Sequence, residues 1–177
     1  MAFFTYAGSK YAEKPVLASI IIDASETISQ YAWCNALATT GGAEAAAATE
    51  LLIGVVHEIT TKDGIPLGAH ISSDIDGTWT PQSGATAASY AAASDNMTDK
   101  QVKVLVNIDP SALYYNTPDA AVGTTAGSAE IGYHTDLISS VQVDESDAVT
   151  TTAQLSIWGI NPGNSAQGIY QKYESQI

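Results

Sequence analysis

The feature that most constrains the fold is a series of short apolar segments, each ended by a turn signal. Clear examples are residues 15–22, 51–59 and 101–108. An Asp-Gly pair at residues 63–64 and Asn-Pro-Gly at residues 161–163 supply turns, because these residue types favour tight chain reversals. No long stretch repeats its apolar residues with the 3.6-residue period of a helix. The pattern predicts a mainly β protein, built as small β-barrel or β-sandwich modules with long Ala/Gly/Thr-rich loops.

Individual segments differ in what they predict. Residues 101–108, QVKVLVNI, alternate with period 2 and place their three even-numbered valines on one face. Residues 51–59, LLIGVVHEI, are strongly apolar and predict a central strand, and residues 65–71 predict the strand that returns beside it. Residues 43–50, AEAAAATE, have no apolar stripe, so we expect a single helical turn or a loop there.

Composition shifts divide the chain into four parts. Residues 81–99 are small and polar and predict a linker or a long loop. This segment separates two predicted β-modules, residues 12–80 and residues 101–177. Residues 1–11 are predicted to be an N-terminal arm, because their aromatic side chains would expose apolar area unless they dock somewhere.

Charge excludes several classes of partner. The chain has 19 acidic residues against 6 Lys and Arg, which gives a net charge of -13. Affinity for nucleic acids and for anionic membranes comes largely from Lys and Arg, so neither is an expected partner. The single cysteine allows no intramolecular disulfide. The apolar run at residues 16–22 falls short of the ~20 residues that a membrane span needs, so we expect folding in a cytoplasm.

The sequence contains no recognised catalytic motif. It lacks the Gly-x-Ser-x-Gly elbow, the phosphate-binding loop and the dinucleotide fingerprint. Any histidine base must be His57, His70 or His134, and His57-Glu58 lacks the second histidine of a zinc-protease helix. A glycosidase-like pair of carboxylates stays open, although no spacing selects one. We therefore predict no enzyme, no catalytic residues and no cofactor.

Two acidic segments and the cysteine also have structural interpretations. Residues 74–77 resemble part of a calcium loop but lack its bidentate glutamate, and residues 144–147 form a second acidic cluster. We interpret both as solvated turns and predict no metal site. Cys34 follows Trp33 in a strand pattern and is expected to be an inert, buried thiol.

The aromatic residues favour a role in contacts. Nine Tyr and three Trp stand against two Phe, and such rings with a polar end are enriched at protein interfaces. Two interpretations stay open, because these rings either pack on their own domain or insert into a neighbouring subunit. The candidate interface residues are Phe3, Phe4, Tyr6, Tyr11, Tyr114 and Tyr115.

Two regions resemble proteins of tailed-phage heads. Residues 50–72, which contain LLIGVVHEITTKDGIPLGAHIS, look like the core pattern of capsid decoration (cement) proteins, in which a Gly-Val strand is followed by a turn and a short strand. The later segments VKVLVNIDPSALYYNTPDA, AEIGYHTDLISSVQVDES and AQLSIWGINPG are similar to a pattern in phage head proteins, which ends in a Trp-Gly strand and an Asn-Pro turn.

The resemblance implies a structural protein of the virion. Members of this family are β-barrel or β-sandwich proteins, usually homo-oligomers and often trimers. They bind the outside of the mature capsid where major capsid subunits meet, and they stabilise the shell. We thus expect the major capsid protein and other copies of this chain as partners, and the capsid surface as location. The alternatives are another virion component, such as a head fibre, tail or receptor- or glycan-binding module, and an enzyme such as a polysaccharide hydrolase.

Overall fold

Antiparallel β-sheets are the main structure in the part of the chain that is described here. A computed structural model describes residues 3–10, 14–69, 75–99, 102–120, 131–149 and 153–173. Within these ranges the strands form three sheets of six, five and three strands. The predicted mainly β class is therefore confirmed, and the sheets are sandwich-like without closing into a barrel.

The largest sheet joins the beginning of the chain to its end. Its order is β1-β10-β14-β13-β11-β12, and all the pairings are antiparallel. The N-terminal strand thus pairs with the middle of the chain, Tyr6 lying opposite Tyr114. The strands are β1 (Thr5–Ser9), β10 (Ala112–Asn116), β11 (His134–Ser139), β12 (Gln142–Val149), β13 (Leu155–Ile160) and β14 (Gly168–Lys172).

The five-stranded sheet has the order β2-β9-β6-β4-β5. A single parallel bridge between Ile22 and Ala43 joins its two edges at one end. The three-stranded sheet, of order β3-β8-β7, is the smallest, and Ile28 on β3 lies opposite Tyr90 on β8. The strands are β2 (Leu17–Ile21), β3 (Thr27–Ser29), β4 (Trp33–Ala36), β5 (Ala43–Ala45), β6 (Gly54–Thr61), β7 (Gly77–Thr80), β8 (Ser89–Ala92) and β9 (Val102–Asn107), with a short helix α1 (Asn96–Asp99) and a 3-10 turn at Leu67–Ala69.

Two hydrophobic cores share strands β4 and β6. Successive side chains of a strand point to opposite faces, so Trp33 and Val55 enter the first core while Cys34 and Val56 enter the second. The first core lies against the six-stranded sheet and includes Phe4, Tyr114, Leu137, Val143, Leu155, Ile157 and Tyr170. The second core includes Ile22, Ile28, Ile59, Leu67, Tyr90, Val102, Val104 and Val106.

The sheets do not follow the predicted division of the chain. Strand β9, assigned to the module 101–177, lies between β2 and β6 of the module 12–80. Residues 81–99, predicted as a linker or a long loop, contain β8 and α1, and the predicted arm 1–11 contains β1. The composition of a segment indicates its polarity but not the strand with which it pairs. A polar segment that contains one buried tyrosine, Tyr90, is therefore predicted to be a loop.

Three local predictions also need correction. Residues 43–45 form β5 rather than a helical turn, because they pair with β4. The expected return strand at residues 65–71 is a 3-10 turn at Leu67–Ala69, with its last residues outside the described ranges. The acidic cluster at residues 144–147 lies within β12 and not in a turn.

Two buried amides fasten loops to the sheets. The side chain of Gln154 accepts a hydrogen bond from Leu137 N and donates to the carbonyls of Ala47 and Glu50, each at 2.8 Å. Asn96 donates to the carbonyl of Ile22 at 2.6 Å and accepts from Val102 N. Both side chains have their donors and acceptors satisfied, which makes their burial stabilising for the loop positions.

Gly54 gives a test of the shared strands. A Cβ at this position would collide with the carbonyl oxygen of Asn107 on the neighbouring strand, so Gly54→Ala must push β6 and β9 apart. We expect the free energy of unfolding, measured in urea, to fall by about 1–3 kcal/mol.

Gly68→Ala is the matched control, because no heavy atom lies within 4 Å of a Cβ placed there. Its free energy of unfolding should change by no more than about 0.5 kcal/mol. Equal losses in the two variants would contradict the close approach of β6 and β9.

Candidate functional site

An apolar cleft lies between the N-terminal strand and the strands shared by the two cores. It has a volume of about 400 Å³ and is lined by residues of β1, β6, β9 and β10 and by residues 4, 15 and 31 beside them. Three of the predicted interface residues line it, namely Phe4, Tyr6 and Tyr114. The sequence therefore singled out part of this cleft without indicating that the residues meet there.

Aromatic rings that line the cleft pack edge to face with one another and with Trp33 of the first core. The ring centroids of Trp33 and Tyr114 are 5.4 Å apart, and those of Phe4 and Trp33 are 5.8 Å apart. Tyr6 meets Tyr114 at 6.0 Å with an interplanar angle of 67°. Such T-shaped pairs stabilise a fold by about 0.5–1.5 kcal/mol each beyond the area that they bury. They hold the N-terminal strand against the first core.

The predicted interface residues fall into three groups. Phe4 and Tyr114 are buried within the chain, as the interpretation of packing on their own domain expects. Phe3, Tyr6 and Tyr115 are half-buried, and their contact with another subunit stays a prediction. Tyr11 lies outside the described residues.

A hydrogen bond closes the polar end of the cleft. The Asn107 amide donates to the Tyr114 hydroxyl at 2.8 Å, and its oxygen accepts from Asp109 N. Burial raises the pKa of Tyr114 well above its usual value, which keeps the phenol neutral. None of the described lining residues is a carboxylate. The cleft is thus suited to bind an apolar group.

The described histidines sit in different places. His57 is exposed at the cleft, beside a bulge in β6. His134 contacts Ser156, with Nδ1 and Oγ 3.1 Å apart, and burial lowers its pKa. No carboxylate of the described residues hydrogen-bonds to His134, so the third member of a catalytic triad is not shown. His70 lies outside the described ranges.

The two acidic segments have different surroundings. Carboxylate oxygens of Asp76, Asp95 and Asp99 lie within 4.8 Å of one another, but all three side chains are exposed, and we assign no metal to them. Asp74 lies outside the described residues. In the second segment Glu145 is buried rather than solvated, and it accepts a hydrogen bond from the Tyr170 hydroxyl at 2.5 Å.

Sequence reasoning missed a surface feature on β13. Trp158 is 47% exposed, next to a bulge between Ile157 and Gly159. The alternation of LSIWGI, in which Leu155 and Ile157 are buried, was the available signal that Trp158 points away from the core.

Comparison with protein-family models, with curated proteins and with solved structures finds no match to this chain. In the described ranges, no helix has the length and apolar character needed to cross a membrane. The functional interpretation therefore depends on the residues and geometry of the chain itself.

The N-terminal arm gives a prediction on stability. Phe4 is fully buried against Trp33 and Tyr114, so Phe4→Ala should lower the free energy of unfolding by about 3–5 kcal/mol. The neighbouring half-buried residue provides the control, and Phe3→Ala should cost less than half as much. Thermal and urea unfolding measure both. Equal, small losses in the two variants would contradict the packing of this segment on the first core.

Cys34 gives a prediction on reactivity. Burial raises the pKa of its thiol to about 12, and thiols react as thiolates. At pH 8 we expect no labelling of the native protein by a disulfide reagent such as Ellman's, and release of one equivalent in denaturing urea. Rapid labelling without urea would show that β4 opens readily.

Proposed function

We propose that this chain is a structural virion protein that decorates and stabilises the outer surface of a phage capsid. In this role it binds major capsid subunits and neighbouring copies of itself and performs no chemistry. The observation that carries the proposal is an apolar patch at the edge of the five-stranded sheet, beside the aromatic cleft. The resemblance of residues 50–72 to decoration proteins supports the choice of a capsid as partner.

The edge patch consists of Val16, Leu17 and Ile108, which are 49%, 41% and 39% exposed. Ile108 N donates to the carbonyl of Val16 at 2.9 Å, so these two residues lie side by side on one face of the strand pair, while Leu17, opposite Asn107, points to the other face of the same edge. Strand β2 is paired on one side only, apart from the bridge at its end. An apolar edge strand of this kind is a surface on which another chain can pack or pair.

The patch and the cleft adjoin along the chain. Pro15 lines the cleft and directly precedes Val16. Asn107 lines the cleft from the other strand and directly precedes Ile108. A partner segment that covers the patch therefore has the apolar cleft beside it. Extension into the cleft adds buried area to the contact.

Charge bears on where such a contact is stable. A body with a net charge of -13 repels its own copies in solution, so association needs either salt or a partner that supplies positive charge. A capsid surface with basic sites between subunits meets this need. Stabilisation then follows by mass action, because a protein that binds only the intact shell shifts the equilibrium toward that shell.

Leu17→Asp tests the proposal. We expect the wild-type protein to co-sediment with mature capsids of its own phage in numbers proportional to capsomers and to raise the temperature at which they open. Leu17→Asp should bind the capsids about tenfold more weakly, because it places a charge in the apolar patch.

Ile65→Asp is the control, since Ile65 is 46% exposed but lies in a turn away from the patch. It should bind capsids as the wild type does. Circular dichroism must show unchanged β structure in both variants. Failure of the wild type to co-sediment, together with a monomer at high concentration in analytical ultracentrifugation, would refute the proposal.

A further inference from the structure

A second pocket lies on the outer face of the six-stranded sheet. On β13 and β14, Ile157 and Tyr170 face the first core, while their neighbours Ser156 and Gln171 pair with each other on the opposite face. The pocket has a volume of about 300 Å³, which is near the lower end of the range for small-molecule sites. We call it the lysine pocket, and its lining residues are Lys10, Ser156, Trp158, Gln171, Lys172 and Tyr173.

The pocket concentrates positive charge on an acidic protein. It contains two of the six lysines of the chain. In the part of the chain that the structure describes, the salt bridge found joins Lys62 to Asp63, so neither pocket lysine is paired with a described carboxylate. Two cations at one small pocket favour an anionic group there.

One of these lysines is held by an aromatic ring. The Lys10 ammonium lies 3.2 Å from the ring centroid of Trp158, a cation–π contact. Trp158 remains 47% exposed in spite of this contact. The pocket thus presents an ammonium of fixed position beside free indole surface, which suits a ligand with both a negative charge and an apolar face.

A buried amide adds an acceptor. Gln171 is only 3% exposed, and its Nε2 donates to the carbonyl of Pro110 at 2.8 Å. A carbonyl can only accept, so this bond fixes the orientation of the amide. Its Oε1 then has no donor among the described residues. A buried acceptor without a donor is costly, and a ligand hydroxyl would remove that cost.

We propose that the lysine pocket binds a sugar ring that carries a carboxylate, of the hexuronic acid type. The carboxylate pairs with Lys10, the C–H face of the ring packs on Trp158, and a hydroxyl donates to Gln171, while Lys172 adds positive charge beside the pocket. A neutral sugar leaves the lysines unused, and an acidic peptide segment without hydroxyls leaves the acceptor unused. A polyphosphate chain is repelled by the acidic body.

Titration with D-glucuronic acid tests this proposal, with methyl glucoside as the neutral comparison. We expect saturable shifts in the NMR signals of Lys10, Trp158 and Tyr173 for the acid only, and weaker binding at high salt. Lys10→Gln and Trp158→Ala should each weaken binding roughly tenfold. Lys62→Gln, which removes an equal charge elsewhere, should bind as the wild type does.

Several results would overturn the proposal. The first two are NMR shifts with methyl glucoside as large as those with glucuronic acid, and no saturable binding of glucuronic acid. The others are an unchanged affinity of Lys10→Gln for glucuronic acid, and tighter binding of hexaglutamate than of glucuronic acid as followed at the Trp158 signal. Each variant is first checked by thermal unfolding, and if Lys10→Gln is unstable, Trp158→Ala decides alone. The edge patch is on another sheet, so these outcomes are separate from those of capsid binding.

Discussion

The rest of the structure depends on the alternation of side chains along β4 and β6. Because neighbouring residues of a strand point to opposite faces, Trp33 and Val55 complete one core while Cys34 and Val56 complete the other. These two strands therefore separate the two cores and contribute side chains to both. Neither core can lose these strands without exposing the other, and residues from both sides of 81–99 contribute to each core.

The period of a pattern was predictable from sequence, whereas the partner of a strand was not. The three valines of β9 share one face and are buried, as the alternation of residues 101–108 predicted. That alternation does not indicate which strands pair with β9, which lies between β2 and β6. Pairing depends on the complementarity of distant faces, so composition alone predicts a linker or a long loop around Tyr90 and an arm at the N-terminal strand.

Aromatic composition indicated burial but not the chain that provides it. The free energy of covering a ring is the same whether its own domain or another subunit covers it. From composition alone, Phe4 and Tyr114 are therefore equally compatible with a core and with an interface. Their neighbours in the fold show that they are buried within the chain. The lysine pocket was less accessible to sequence reasoning, since the end of β1 must be brought to β13 and β14 before Lys10 meets Trp158.

The place of β1 has a consequence for how the protein is made. Tyr6 of β1 pairs with Tyr114 of β10, so more than 100 residues are synthesised between these two partners. Until β10 is made, the ring of Phe4 has no Tyr114 to pack on, and the six-stranded sheet also needs β14, which follows later in the chain. Pairing between strands this distant in sequence slows folding. The nascent protein must therefore keep the aromatic segment around Phe4 out of wrong contacts until these later strands have been made.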